Sequence, residues 1–128
     1  MEKRENKVTP LYLKTLSQKF DLECIFLLDL SNQNIGNLGA IPECKNLLML
    51  DLSRNQVGFI NGLDACSKLN YLNLAYNRIA SLESLLGCND LTHLFLQGNS
   101  IRDYKTVEFL RNLPKLTHLH LQEFNFSG

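Results

Sequence analysis

Shifting the 128-residue chain against itself by 22 positions brings four successive segments into one register, and no other property of the sequence restricts the fold as strongly. Ile25, Leu47, Leu69 and Leu91 coincide, as do Leu28, Leu50, Leu72 and Leu94, and then Leu30, Leu52, Leu74 and Leu96. Three positions on stand Asn55, Asn77 and Asn99, with Gln33 in the first copy. The apolar series continues through Ile35, Val57, Ile79 and Ile101, then Leu38, Ile60, Leu82 and Tyr104, then Ile41, Leu63 and Leu85, and closes on Cys44, Cys66 and Cys88. The bias is visible in composition too: 27 Leu and 14 Asn, against no Trp and ten Gly plus Pro.

The spacing dictates the shape. The L-x-L step has period two, so it predicts a short strand with alternate side chains pointing inward. Stacked copies make a parallel sheet with strands ~4.8 Å apart. The later apolar residues, three apart, suit short 3₁₀ or irregular turns on the opposite, convex side. The Asn falls where the chain leaves the strand, and its amide both donates and accepts, so a stacked Asn ladder (Asn55, Asn77, Asn99) satisfies backbone groups at a buried corner. The expected fold class is an α/β solenoid, a right-handed superhelix with a concave parallel β-sheet and a helical cap at its amino-terminal end.

That cap has its own signals. Residues 1–8 read as a flexible tail and 9–24 as the cap, with Thr9 as helix N-cap, Pro10 at the first helical position, and Val8 and Leu13 spaced as a hydrophobic staple. The spacing predicts a helix through about Lys19 with Leu13, Leu16 and Phe20 on the face that covers the first coil. Residues 25–128 form the repeat domain, with coils starting near 25, 47, 69, 91 and 116. The last step is 25 residues rather than 22, and Thr106–Leu113 reads as helical before Pro114. Phe124 stands where a fifth Asn would fall, and the carboxyl cap looks incomplete. The expectation is a piece of a longer chain; the alternative is closure by Phe124 and Phe126.

The motif L-x-x-L-x-L-x-x-N-x-I-x-x-L-x-x-L-x-x-C resembles leucine-rich repeats, and residues 25–121 are similar to the 22-residue class found in intracellular proteins such as the nuclear regulatory subunit of protein phosphatase 1. The block V-T-P-L-Y-L-K-T-L-S-Q-K-F-D-L-E-C, with the E-C-K-N-L step, is most similar to the leucine-rich repeat-containing protein 61 family. Leu91 to Leu116 also resembles the acidic leucine-rich nuclear phosphoproteins and the leucine-rich axonemal dynein light chain, although the acidic tail of the former is missing. These resemblances imply an intracellular, non-catalytic interaction protein without cofactors.

The residues themselves lead the same way. Thirteen basic and thirteen acidic side chains are spread evenly, with charges of +1, −2 and +1 over residues 1–24, 25–90 and 91–128. No basic face is offered to nucleic acid. The polar Met1–Lys7 stretch has no apolar run behind it, and no stretch is long enough to span a membrane, so a cytoplasmic chain is expected, with the nucleus as a second compartment. No G-x-S-x-G, G-x-x-x-x-G-K, G-x-G-x-x-G or H-E-x-x-H occurs, and no enzyme is expected.

Function then falls to the residues between the core leucines. One outward column is Leu27, Met49, Tyr71, His93 and His118; the next is Asp29, Asp51, Asn73, Phe95 and His120; a loop column adds Asn32, Arg54, Tyr76, Gly98 and Glu123. Aromatic enrichment marks interface centres, so the leading reading is a face that binds another protein, centred on Tyr71, His93 and Phe95. The competing reading is a structural module docking through its carboxyl-terminal edge, with self-association through Phe124 and Phe126 as one form of it. The bland alternative is a sheet face that merely tolerates such residues, and two catalytic possibilities stand beside these readings. His93, His118 and His120 can be imagined as a zinc site for a hydrolase, but no carboxylate is placed to orient a ring, and polar members of a binding face explain them better. Asp29 and Asp51 are similarly better read as partner-facing charges than as an acid–base pair. Cys44, Cys66 and Cys88 occupy an apolar core position taken by Leu110 in the fourth copy, which favours free buried thiols over a disulfide or metal ladder.

Overall fold

The computed structural model describes residues 4–121. Five strands of three residues each, β1 (Leu27–Asp29), β2 (Met49–Asp51), β3 (Tyr71–Asn73), β4 (His93–Phe95) and β5 (His118–His120), pair in parallel and in sequence order. The pairing follows the 22-residue register through Leu28, Leu50, Leu72 and Leu94, and the last step, of 25 residues, pairs Leu94 with Leu119. A one-residue slip would turn Leu28, Leu50, Leu72 and Leu94 to solvent, so burial pins the register of β1 to β4. Short 3₁₀ turns at Ile41–Glu43, Leu63–Ala65 and Glu83–Leu85 form the opposite side. Between sheet and turns lies one continuous core in which Leu47, Leu50, Leu52, Leu63, Leu69 and Leu72 are fully buried.

The Asn ladder seals the corner between strand and turn. Asn77 Nδ2 donates to the carbonyls of Leu74 in its own coil (3.1 Å) and Leu52 in the preceding one (2.9 Å), while its Oδ1 accepts from the Val57 N–H (3.0 Å). Asn55 repeats this with Leu52, Leu30 and Ile35, and Asn99 with Leu96, Leu74 and Ile79. Each amide therefore satisfies groups that burial would otherwise leave without water. Gln33 stands at the amino-terminal end of the series and bonds instead to the Tyr12 hydroxyl, at 3.3 Å.

Two elements differ from their sequence expectations. The first helix, α1, spans Pro10–Ser17, two residues shorter than expected, because Gln18 adopts a left-handed conformation (φ 59°) that turns the chain. Thr9 accepts from the Tyr12 N–H as N-cap, and Val8 and Leu13 are buried. Leu16 is 45% exposed and Phe20, beyond the helix end, 98% exposed, so these two do not cover the first coil. Near the carboxyl end, α2 covers Tyr104–Glu108 with Asp103 as N-cap, and the chain tightens to a 3₁₀ turn at Phe109–Asn112. The expected helix over Thr106–Leu113 is thus split and begins earlier, where Asp103 can cap it.

Residues 4–8 are not a free tail. The Asn6 N–H donates to the Asn34 carbonyl (2.9 Å), Asn34 Nδ2 to the Arg4 carbonyl (2.6 Å), and the Ala40 N–H to the Val8 carbonyl (2.7 Å). Asn6 bridges Ile35 in parallel, which ties the segment to the first coil. Phe124, Phe126 and Glu123 lie outside the described residues.

Candidate functional site

The two outward columns stand as the register requires, Leu27–Met49–Tyr71–His93–His118 and Asp29–Asp51–Asn73–Phe95–His120 running across the strands. Their chemistry changes along the sheet. On β1 and β2, Leu27 is 65% exposed and Met49 half-buried. From β3 onward the rings stack on one another: His93 on His118 with centroids 4.1 Å apart and planes 7° apart, Phe95 on His120 at 4.5 Å and 18°, and Tyr71 6.1 Å from His93. Tyr71 also tilts against Phe95 at 5.2 Å and joins the two columns. Five of the residues singled out from sequence are thereby one connected ring surface, built of three stacked pairs and one tilted pair.

The acidic end is built differently. Asp29 Oδ1 accepts from the Ser31 hydroxyl (2.6 Å) and N–H (3.0 Å), and these two bonds, in that order, hold its carboxyl below the usual range. Asp51 accepts from the Ser53 N–H (2.9 Å), and Asn73 from the Ala75 N–H (3.0 Å). In each case one side-chain oxygen closes the turn that leaves the strand. The column that looked purely partner-facing in the sequence therefore also serves the fold.

The loop column has a backbone reason that residue types alone conceal. Asn32, Arg54, Tyr76 and Gly98 all have positive φ, at 54°, 60°, 58° and 76°. Arg54 lies over the Tyr76 ring, 4.5 Å from its centroid, and Tyr76 in turn covers Gly98, where a Cβ would come within 2.4 Å of the ring. His93, His118 and His120 belong to the stacked ring surface, and Cys24, Cys44, Cys66 and Cys88 are free thiols. The histidine rings stack in parallel instead of converging, and among the described residues no group of three His, Cys, Asp or Glu side chains could hold a metal ion.

Neither a protein-family model nor a curated protein sequence matches the chain. Solved structures do. Internalin C2 from Listeria monocytogenes matches over 78% of this chain and 53% of its own, with TM-score 0.64 and 26% identity. The internalin InlF from the same species matches over 95% and 37%, with TM-score 0.73 and 23% identity. A leucine-rich-repeat protein of Leptospira interrogans matches over 96% and 30%, with TM-score 0.68 and 23% identity. The chain is a leucine-rich-repeat solenoid. It spans about half the length of the first of these proteins and a smaller share of the other two.

Within this leucine-rich-repeat solenoid, sequence reasoning missed the column one position before the strands: Phe26, Leu48, Asn70, Thr92 and Thr117. Phe26 is 48% exposed and Leu48 39%, each immediately before its strand. The same 22-residue register would have found them. The solenoid's Cys44, Cys66 and Cys88 are buried free thiols, and Cys66 Sγ donates to the carbonyls of Cys44 (3.5 Å) and Ile41 (3.6 Å). Burial pushes Cys44 and Cys88 up to about 11 and Cys66 to about 12. No described helix is long and apolar enough to cross a membrane.

Proposed function

We propose that the protein is a non-catalytic module that binds another protein on its concave sheet, with Tyr71, His93, Phe95, His118 and His120 at the centre and Leu27, Met49, Asp29, Asp51, Asn73, Arg54 and Tyr76 around them. The observation that carries this is the connected ring surface across β3, β4 and β5, held on a rigid sheet and left open. Pre-stacked rings lose little side-chain entropy when a partner lands, which is why aromatic anchors dominate binding energy. The reading extends to a member of the 22-residue intracellular class, working in cytoplasm or nucleus, with residues 9–24 as its amino-terminal cap. Nucleic acid and membrane are not the proposed partners. Affinity capture from cytosolic and nuclear lysates, comparing the parent with Tyr71→Ala/His93→Ala/Phe95→Ala at matched circular dichroism and melting temperature, tests it. Loss of a specific partner is expected; an unchanged partner set sinks the reading.

A second reading has its own observation. Leu119 is 38% exposed, whereas its register mates Leu28, Leu50, Leu72 and Leu94 are 2% exposed or less. Together with Val107, Leu110, Leu113 and Leu116 it lines an open apolar end where a structural module would dock. Leu116→Asp/Leu119→Asp would abolish partner capture under this reading and leave it intact under the first.

A further inference from the structure

His93 and His118 are partners on β4 and β5, and each follows a threonine. The Thr92 hydroxyl lies 2.8 Å from His93 Nδ1 and 3.0 Å from the Asn70 carbonyl oxygen. One coil on, the Thr117 hydroxyl lies 2.9 Å from His118 Nδ1 and 3.3 Å from the Thr92 carbonyl oxygen. A hydroxyl has a single proton to give, and a carbonyl can only accept. Were that proton given to the ring, two sets of lone pairs would face each other across each hydroxyl–carbonyl contact. Both contacts are satisfied only when the hydroxyl donates to the carbonyl and the ring Nδ1–H donates to the hydroxyl. In a neutral imidazole this leaves Nε2 as a bare acceptor. The two rings are held by equivalent bonds and stacked 4.1 Å apart, so they present their Nε2 atoms side by side, without a partner among the described residues.

We propose that Thr92 and Thr117 are positioning residues for recognition. They fix both histidines as the Nδ1-protonated tautomer, and the paired Nε2 acceptors select a partner that brings a basic side chain, arginine or lysine, to this point. The inference rests on the concave-face reading above. A cation is favoured over a neutral donor by the adjoining rings of Tyr71 and Phe95; further along the same sheet, on β1 and β2, Asp51 and Asp29 have no ion pair among the described residues. The same face already seats one guanidinium, that of Arg54 over Tyr76.

Long-range 1H–15N correlation spectra of the labelled full chain at about pH 8 read the tautomers directly. The parent is expected to show His93 and His118 protonated on Nδ1. Thr92→Val and Thr117→Val should each release their own histidine toward the Nε2-protonated form, and Thr92→Ser and Thr117→Ser should retain the parent pattern. Nε2 protonation in the parent overturns the proposal. Titration with acetyl-arginine amide should then shift both Nε2 resonances, about threefold more weakly in the Thr92→Val/Thr117→Val chain, whereas acetyl-glutamate amide should leave them in place. Equal shifts with both probes, or none with arginine, overturn the basic partner. The tautomer is read without any partner and the capture experiment reads the face itself, so failure of one is distinguishable from failure of the other.

Discussion

Tyr71 and Phe95 touch on the diagonal between two columns, with ring centroids 5.2 Å apart and planes inclined by 45°. This contact turns two separate stacks into one surface. A double-mutant cycle with Tyr71→Ala and Phe95→Ala, followed by urea unfolding, should return a coupling of about 0.5–1.5 kcal/mol. Additive losses would mean that the rings sit near each other without supporting each other.

Asn77→Ala removes a side chain that serves four backbone groups in two coils. The Leu52, Leu74 and Ala75 carbonyls keep donors in Asn55, Asn99 and Arg54, so the Val57 N–H is the buried group left without a partner, and the loss should be about 1–3 kcal/mol, read as a lower urea midpoint at constant slope. Asn99→Ala should lose less, because Asn99 is only partly buried. Equal losses at the two positions would contradict the burial argument.

Gly98→Ala places a Cβ against the Tyr76 ring at a φ of 76°. The backbone term alone is about 1–2 kcal/mol, with the displaced ring and its Arg54 contact added to it. In a Tyr76→Ser background the same substitution should show only the backbone term. A loss that is identical in both backgrounds would show that the ring plays no part.

The thiols give both a labelling and a pH prediction. Among the four cysteines only Cys24 is exposed, so an aromatic disulfide reagent should titrate one thiol in the native protein and four in guanidinium chloride. Burial lets the folded state keep the protons of Cys44, Cys66 and Cys88 more tightly than the unfolded chain, whose thiols titrate near 9.0. Their contribution to stability is therefore complete below that pH and is lost as the pH rises through about 11 to 12. Thermal melts of Cys44→Ala/Cys66→Ala/Cys88→Ala should lack this part of the alkaline decline seen in the parent.

Much of the fold was written in the period itself. Leu28, Leu50, Leu72 and Leu94 meet as strand partners because a 22-residue register and a two-residue alternation leave no other pairing that buries them. The sequence fell short where a local bond overrides periodicity. Gln18 ends α1 by going left-handed, so the apolar spacing of Leu16 and Phe20 has no helix to act through. The columns of the candidate site were legible, but not their contacts. Periodicity says that Asp29 and Asp51 point outward, yet only geometry reveals that Ser31 and Ser53 each engage one of their oxygens. Thr92 and Thr117 carried no signal of their own, because their effect lies in a proton position set by two neighbours at once.

The Asn ladder gives the solenoid a polarity. Every amide reaches backward: Asn55 serves Ile35 and Leu30, Asn77 serves Val57 and Leu52, Asn99 serves Ile79 and Leu74. A coil is finished by its successor, not by its predecessor. Shortening the stack from the carboxyl end thus leaves a buried N–H of the last remaining coil without its partner, while shortening it from the amino end leaves the first remaining Asn bonded to the carbonyls of its own coil and orphans no N–H of the coils that stay. The two ends of such a protein are unequal sites for growth, and lengthening it by whole coils is favoured in one direction of the chain.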